Sequence, residues 1–451
     1  MLKRQTNAIT RRKRKEKFKK SLKSTLYACT IIVSILTAGM GLNLLYSLIF
    51  TGGRADIKTQ QQNPGLETDE SSVYPRLTTA EIRKFLENKE LLNSEEKIFT
   101  TTLKDKTYTV TTSFNLSLQK FLVKKLERLK KLTRGKPRRI AMVVMEPDSG
   151  KILSLAGFDL LHPGTNPCFN GNFPAASIFK IITASAAVEE LGFKADTQLY
   201  FNGNKYTLYK NQLKNIKNKY TSKISFAKAF AESVNPVFGK IGKNRLKNEI
   251  LEKYVKRFGF NKDIDSELKY GPNRIEITDN PYEWAEIGCG FNNSTTISPL
   301  YGAVLASCII NDGKKATPSI VEKIVDSKNE IIYDNRAEKA DTIITKKTAS
   351  IVQTLMHKTI EKGTARKAFR GYRKDKVLSR LVIGGKTGSI YNKKHTVKYD
   401  WFTGFAKRKT WKKDEKNDMI AISIVVGHGD YIGTRACKYG KMIIKEYYKN
   451  I

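Results

Sequence analysis

The sequence predicts an α/β protein of the α+β kind, an antiparallel sheet flanked by helices, carried behind one N-terminal transmembrane helix. Three observations lead there. Strand-like runs sit at both ends of residues 140–451 with helical patterns between them, and an uncharged apolar stretch lies near the N-terminus. The chain of 451 residues is also 40% hydrophobic and 10% aromatic, which supports a real core and excludes a largely disordered protein.

From Ser24 to Gly53 no residue is charged. Within that stretch Leu26–Phe50 is long enough, at about 1.5 Å per residue, to cross a hydrocarbon core of about 30 Å with tilt to spare. Residues 1–25 hold eleven Lys/Arg against one Glu, so the positive-inside rule keeps this tail cytoplasmic and puts the rest of the chain outside. The apolar stretch is too long for a cleaved signal peptide and lacks a small-x-small site, so it reads as a retained anchor. The expected organisation is a basic cytoplasmic tail over 1–25, a transmembrane anchor over 26–50, a stalk and short pedestal over 51–139, and a main domain over 140–451. That corresponds to a single-pass protein of the cell inner membrane with a periplasmic domain.

Thr78-Thr-Ala-Glu81 is a capping box opening a short helix through about Leu92. Tyr108–Phe114 is strand-like. Leu118, Phe121, Leu122, Leu126, Leu129 and Leu132 recur at helical spacing over Leu116–Leu132, a core stripe. Ile140–Met145 and Lys151–Ala156 flank the turn Pro147-Asp-Ser-Gly150 and predict a hairpin. Ala175–Leu191 is apolar on most faces and stops at Gly192, as a buried helix with a glycine C-cap does. Leu378–Ile383, Asp400–Phe405 and Met419–Val426 are expected strands, and Thr434–Tyr448 a closing amphipathic helix.

The chain carries 82 Lys+Arg and 43 Asp+Glu, a net charge of +39. Outside the N-terminal tail this excess is spread along the chain. No zinc-finger, RNP-like or helix-turn-helix signal accompanies it, so no nucleic-acid partner is expected. The five cysteines and four histidines form no CxxC, HExxH or His-rich tract, and neither a metal nor a cofactor is expected. A disulfide among Cys168, Cys289, Cys308 and Cys437 is open, with no pairing selected. Cys289 is expected to be an ordinary apolar cysteine. His428, in Gly427-His-Gly-Asp430, is expected to be a turn residue rather than a catalytic one.

Three short motifs carry chemistry: Ser177-Ile-Phe-Lys180, Ser233-Val-Asn235 and Lys386-Thr-Gly388. S-x-x-K and S-x-N recur elsewhere in the chain, whereas K-T-G occurs once, so position selects the right copies. Pro174 suits a first helical turn and would put Ser177 near a helix N-terminus, where the dipole favours developing negative charge. Ser177 and Lys180 are i and i+3 and share a face. A serine hydroxyl needs a base within reach. A free lysine, with a pKa of about 10.4, is neutral only about once in 10³ molecules near pH 7. Burial among Ile178, Phe179, Ile181 and Ile182, with Lys386 as a second cation, would have to lower that pKa by about 3 units.

In these motifs the sequence resembles the penicillin-binding proteins, the serine D,D-transpeptidases of peptidoglycan synthesis. The likeness runs from about Ile140 to the C-terminus. It includes Pro174-Ala-Ala-Ser-Ile-Phe-Lys180, Gly384-Gly-Lys-Thr-Gly-Ser389, Asp400-Trp-Phe-Thr-Gly-Phe405 and Gly288-Cys-Gly290 with Ile297-Ser-Pro-Leu300. The resemblance implies a penicillin-binding transpeptidase fold and an acyl-enzyme on Ser177, with Lys180 as its base. Ser233, aided by Lys386, would relay a proton to the leaving amine, and Asn235 would hold the substrate amide. Lys386 and Thr387 would hold the substrate carboxylate, and Gly388 would let the strand approach closely. The amides of Ser177 and Ser389 would form the oxyanion hole.

The implied partners are peptidoglycan stem peptides, β-lactams that trap the same serine, the cytoplasmic membrane and a membrane glycan polymerase. A polymerase is implied because residues 51–139 are too few for a glycosyltransferase domain, which points to the monofunctional class B-like type with a reduced pedestal. A D,D-carboxypeptidase would release D-Ala without cross-links, and a β-lactamase would turn penicillin over. A non-catalytic β-lactam sensor or scaffold would need a coupled signalling domain, for which residues 1–25 are too short.

Overall fold

The computed structural model describes residues 77–262, 266–268, 270–335, 340–409 and 418–449, and the expected membrane span lies outside them. Among the described residues no helix is long and apolar enough to cross a membrane.

In chain order, α1 (Thr79–Leu86) precedes the hairpin β1 (Ile98–Leu103) and β2 (Lys106–Thr112), then α2 (Leu116–Lys130). The hairpin β3 (Pro137–Met145) and β4 (Ile152–Asp159) leads to the two-residue β5 (Phe173–Pro174), a 3-10 turn over Ala176–Phe179 and α3 (Lys180–Leu191). Next come β6 (Gln198–Phe201), β7 (Ser222–Ser225), α4 (Phe226–Ala231), α5 (Asn235–Ile241), α6 (Lys247–Arg257) and α7 (Pro281–Cys289). After β8 (Thr296–Ile297) and α8 (Pro299–Ile310) the chain forms β9 (Lys314–Lys315), β10 (Val321–Asp326), β11 (Ile331–Asp334) and β12 (Asp341–Thr342). It ends with α9 (Lys346–Glu361), β13 (Leu381–Tyr391), β14 (Lys398–Arg408), β15 (Met419–His428) and α10 (Ala436–Tyr447).

The principal sheet is antiparallel with the order β13-β14-β15-β3-β4, so strands from both ends of the main region close it as expected. Both of its faces are covered, which is why its strands read as nearly continuous apolar runs rather than alternating ones. Along β3, Ala141, Val143 and Met145 join one core while Ile140, Met142 and Val144 join the other. Helix α8, all of whose residues are buried, packs against β3, β14 and β15. Helix α10 packs against β14 and β15, and α2 against β4. A second sheet, β1-β2-β10-β11, joins the hairpin before α2 to strands from much later in the chain.

Several boundaries differ from expectation. The capping box on Thr78 and Glu81 forms, but α1 ends at Leu86 rather than near Leu92. The Leu116–Leu132 stripe buries Leu118, Leu122 and Leu126, while Leu132 is exposed beyond the helix end. Strand β1 escaped the sequence reading because its run of threonines shows little apolar alternation. Ala175–Leu191 is not one α-helix: it opens as a 3-10 turn, and Pro174 belongs to β5, paired with Thr296. Gly192 does cap α3 in the left-handed conformation. Leu378–Arg380 is a 3-10 turn, and the strand runs on to Tyr391, so Lys386 lies within the strand rather than at its end. The polar Lys386–Ser389 stretch hides that continuation from a reading based on apolar alternation. Helix α10 starts at Ala436 rather than Thr434.

Candidate active site

The three motifs converge on one cleft of about 990 Å³, lined by Ser177, Ser233, Asn235, Thr387, Gly388 and Ser389 among others. Lys180 and Lys386 lie beneath its surface, each fully buried.

Ser177 stands in the 3-10 turn, held from three sides. The Trp401 indole N–H donates to the Pro174 carbonyl at 2.9 Å, and the Ala175 amide donates to Thr295 O at 2.9 Å. Ala176, just before the serine, has φ +47, a conformation seldom adopted without glycine and often found where function over-determines the backbone. Gly388 supplies the third side, because a Cβ there would sit 3.2 Å from Ala176 Cβ and 3.3 Å from Ser177 N. The expectation that this glycine permits close approach of the strand therefore has a direct steric basis.

Lys180 Nζ lies 2.8 Å from Ser177 Oγ, 2.9 Å from Asn235 Oδ1 and 2.5 Å from the Cys289 carbonyl oxygen. The last two atoms can only accept. A neutral Lys180 amine therefore spends both hydrogens on them and turns its lone pair to the Ser177 hydroxyl. Asn235 is fixed for this by its amide, which donates to Tyr206 O at 3.0 Å. Burial pushes the Lys180 ammonium down to about 8, close to the shift the sequence argument required.

On another wall, Ser233 links α4 to α5 with φ +58, again strained for a non-glycine residue. Lys386 Nζ donates to Ser233 Oγ at 2.9 Å and to Thr387 O at 2.7 Å. Burial first, and the charge of Lys180 second, push Lys386 well below the ordinary lysine range. Burial is the leading cause for both lysines, and the repulsion between the two ammonium groups is mutual, so burial and like charge act together on the pair.

Cys289 contributes its carbonyl and not its thiol, which is buried and pushed up to about 11 by desolvation. Cys168, Cys289, Cys308 and Cys437 are all free. His428 is not a turn residue: it is the buried last residue of β15, with Nε2 3.8 Å from Asp400 Oδ2. Burial would raise the Asp400 carboxyl, but His428, Arg435 and the Ala436 amide together hold it below the usual range.

Three cleft residues escaped the motif reading, and Asp400, which opens the Asp400–Phe405 block, has no role in it. Tyr206 orients Asn235, Thr364 Oγ1 bonds Thr387 Oγ1 at 2.5 Å, and Asp400 and Arg435 sit beside Ser389. Tyr206, Thr364 and Arg435 belong to none of the quoted motifs.

The family profile for the penicillin binding protein transpeptidase domain matches residues 140–430. The chain therefore belongs to the penicillin-binding protein transpeptidase family. No curated protein sequence matches it. Among solved structures it is similar to the D,D-transpeptidase domain of a peptidoglycan glycosyltransferase from Eggerthella lenta. That likeness has 22% identity and a TM-score of 0.59, covering 76% of this chain and 83% of that one. Penicillin binding protein 3 from Mycobacterium tuberculosis, complexed with ampicillin, matches at 18% identity and a TM-score of 0.61, over 76% of this chain and 78% of that one. PBPA from the same organism matches at 19% and 0.58, over 76% and 81%. At these identities the structural likenesses establish the fold.

Proposed function

We propose that the protein is a monofunctional, class B-like D,D-transpeptidase that cross-links peptidoglycan stems through an ester on Ser177, and that β-lactams acylate the same serine. The observation that carries this reading is the buried Lys180 amine, 2.8 Å from Ser177 Oγ and tied by two obligate acceptors. Ser177 Oγ bonds to the carbonyl carbon of the penultimate D-Ala while its proton passes to Lys180. The oxyanion meets the amides of Ser177 and Ser389. The C–N bond to the terminal D-Ala then breaks, its nitrogen taking a proton through Ser233, with Lys386 bonded to that hydroxyl. An amine from a second stem attacks the ester and returns the proton to Ser177. Thr387 and Lys386 meet the departing residue's carboxylate, whose negative charge favours the protonated form of Lys386.

Among the described residues the cleft is lined by one carboxylate, Asp400, which is committed to Arg435 at 2.7 Å. That favours a long-lived ester over general-base hydrolysis, and so a transpeptidase over a β-lactamase. In the same reading residues 26–50 anchor the chain in the inner membrane, the basic tail stays cytoplasmic, and a membrane polymerase supplies the glycan.

The test is a time course of fluorescent-penicillin labelling on the full chain and on Ser177→Ala, followed by a chase and a stem-peptide assay. Stable labelling lost in the variant, with cross-linked dimers from stem peptides, is expected. Rapid release of label indicates a β-lactamase, D-Ala release without dimers a carboxypeptidase, and no labelling of folded protein a scaffold.

A further inference from the structure

Asn235 shows Lys180 one end of a side-chain amide. Its Oδ1 lies 2.9 Å from Lys180 Nζ, and its Nδ2 donates to the Tyr206 carbonyl at 3.0 Å. The two ends have nearly the same shape and differ in hydrogen-bonding sense, so the Tyr206 carbonyl decides which of them faces the lysine. Turned by half a rotation, the amide would set its oxygen against that carbonyl and an N–H on Lys180. A neutral Lys180 would then accept that N–H with the lone pair that otherwise meets the Ser177 hydroxyl, and would lose an acceptor for its own hydrogens.

The base therefore depends on where the Tyr206 carbonyl stands. The Tyr206 ring is 52% exposed on the cleft rim, so burial does not fix it. What closes the 202–209 loop on itself is Gln212, a buried residue of the 3-10 turn Lys210–Leu213. Its Nε2 donates to the carbonyls of Asn202 and Asn204, each at 3.0 Å. Its Oε1 accepts from the Tyr209 amide at 2.9 Å and shares the Thr207 hydroxyl hydrogen with Asn204 O, both at 3.1 Å. One side chain thus spends all its donors and acceptors on a single loop, on both sides of Tyr206. Gly203, with φ +74, makes room for it, since a Cβ there would sit 2.8 Å from Gln212 Nε2. The other ties of the loop reach outward: Lys205 O accepts the Asn235 backbone amide at 2.7 Å, and Leu208 O accepts the Tyr282 hydroxyl at 2.7 Å. They dock a shape that Gln212 sets.

We propose that Gln212 is a positioning residue for acylation: it shapes the 202–209 loop so that Tyr206 O holds Asn235 Nδ2 and leaves Oδ1 to Lys180. The inference rests on Ser177 as the acylated nucleophile and Lys180 as its base.

The test follows fluorescent-penicillin acylation of the full chain in detergent across pH 6 to 9, with melting curves reporting whether each variant folds. In Gln212→Leu the rate constant at the high-pH plateau should fall about tenfold. The midpoint of its rise should also move down by about one pH unit, because a Lys180 that faces an N–H loses an acceptor for its charged form. Gln212 bonds neither Lys386 nor the Cys289 thiol, the titratable neighbours of Lys180, so the midpoint reports the amide. Gln212→Glu keeps the size but sets an oxygen against the carbonyls of Asn202 and Asn204, and should move both readings the same way. In an Asn235→Ala background, with no amide left to turn, Gln212→Leu should change the rate by less than about twofold. An unmoved midpoint in a folded Gln212 variant, or an equal loss of rate in the Asn235→Ala background, overturns the proposal. If the folded wild type is not labelled at all, the Ser177 reading fails and this inference falls with it.

Discussion

Ser177 and Lys180 are three residues apart on one helical segment, whereas Ser233 and Lys386 are separated by 153 positions, yet the two serine–lysine distances are 2.8 and 2.9 Å. Both lysines are fully buried and both are pushed below the ordinary lysine range by desolvation. They differ in what else they touch. Lys180 has two oxygen acceptors besides its serine, from α5 and the end of α7. Lys386 has one, the carbonyl of its neighbour Thr387. A neutral Lys180 is therefore left with a lone pair aimed at its serine, the geometry of a base. A protonated Lys386 keeps one hydrogen in reserve, the geometry of a group awaiting an anion. The same residue pair thus acquires different chemistry from the number of fixed acceptors around the amine.

Removing Lys180 should break this contrast most severely. Lys180→Ala is expected to slow acylation by fluorescent penicillin about 10²–10⁴-fold while the protein remains folded by circular dichroism. Near-normal acylation would take the base role from Lys180.

The support behind Ser177 can be tested through stability. Trp401 is fully buried, meets Phe173 edge-on at 6.0 Å and ties β14 to Pro174. Trp401→Ala should lower the unfolding free energy by about 3–5 kcal/mol in denaturant titration. A loss below about 1 kcal/mol, the scale of one net hydrogen bond, would mean the nucleophile turn holds itself.

The pH profile sharpens the comparison further. A base lowered to about 8 is mostly protonated at pH 6, so acylation should climb about tenfold per pH unit below pH 7 and level off above about 8. The sign follows from the neutral amine being the reactive form. A rate that falls as pH rises from 6 to 8 would contradict it.

The smallest effect concerns the Lys386 wall. Thr364→Val removes the partner of Thr387 and should reduce the acylation rate constant about 2- to 12-fold, the range of one net hydrogen bond. No change would leave Thr387 positioned by its strand alone.

The sheet was legible because it is buried on both faces: Ile140–Met145 is apolar throughout and Met419–Val426 is broken only by the small Ser423, and their cores lie on opposite sides. Helix α3 was legible from its apolar body and Gly192. Its first turn was not, since the 3-10 geometry and the β5 pairing of Pro174 come from contacts with residues more than a hundred positions away. Among site residues, Lys386-Thr-Gly388 stood out by its uniqueness. Thr364 and Tyr206 carry no pattern of their own, and each acts through one bond to a distant partner.

By itself, then, the sequence determined the local facts: the Ser177–Lys180 spacing, the apolar surroundings that bury the amine, and the strands and helices whose patterns are strong. Helical periodicity and the hydrophobicity of near neighbours suffice for these. Only the tertiary structure decided which atoms complete each lysine's coordination and that Asp400 and Arg435 meet beside Ser389. It also decided how deeply both amines are buried, which depresses each of them. Those outcomes depend on which long-range groups share a dry cavity, where a single acceptor or charge changes what an amine does.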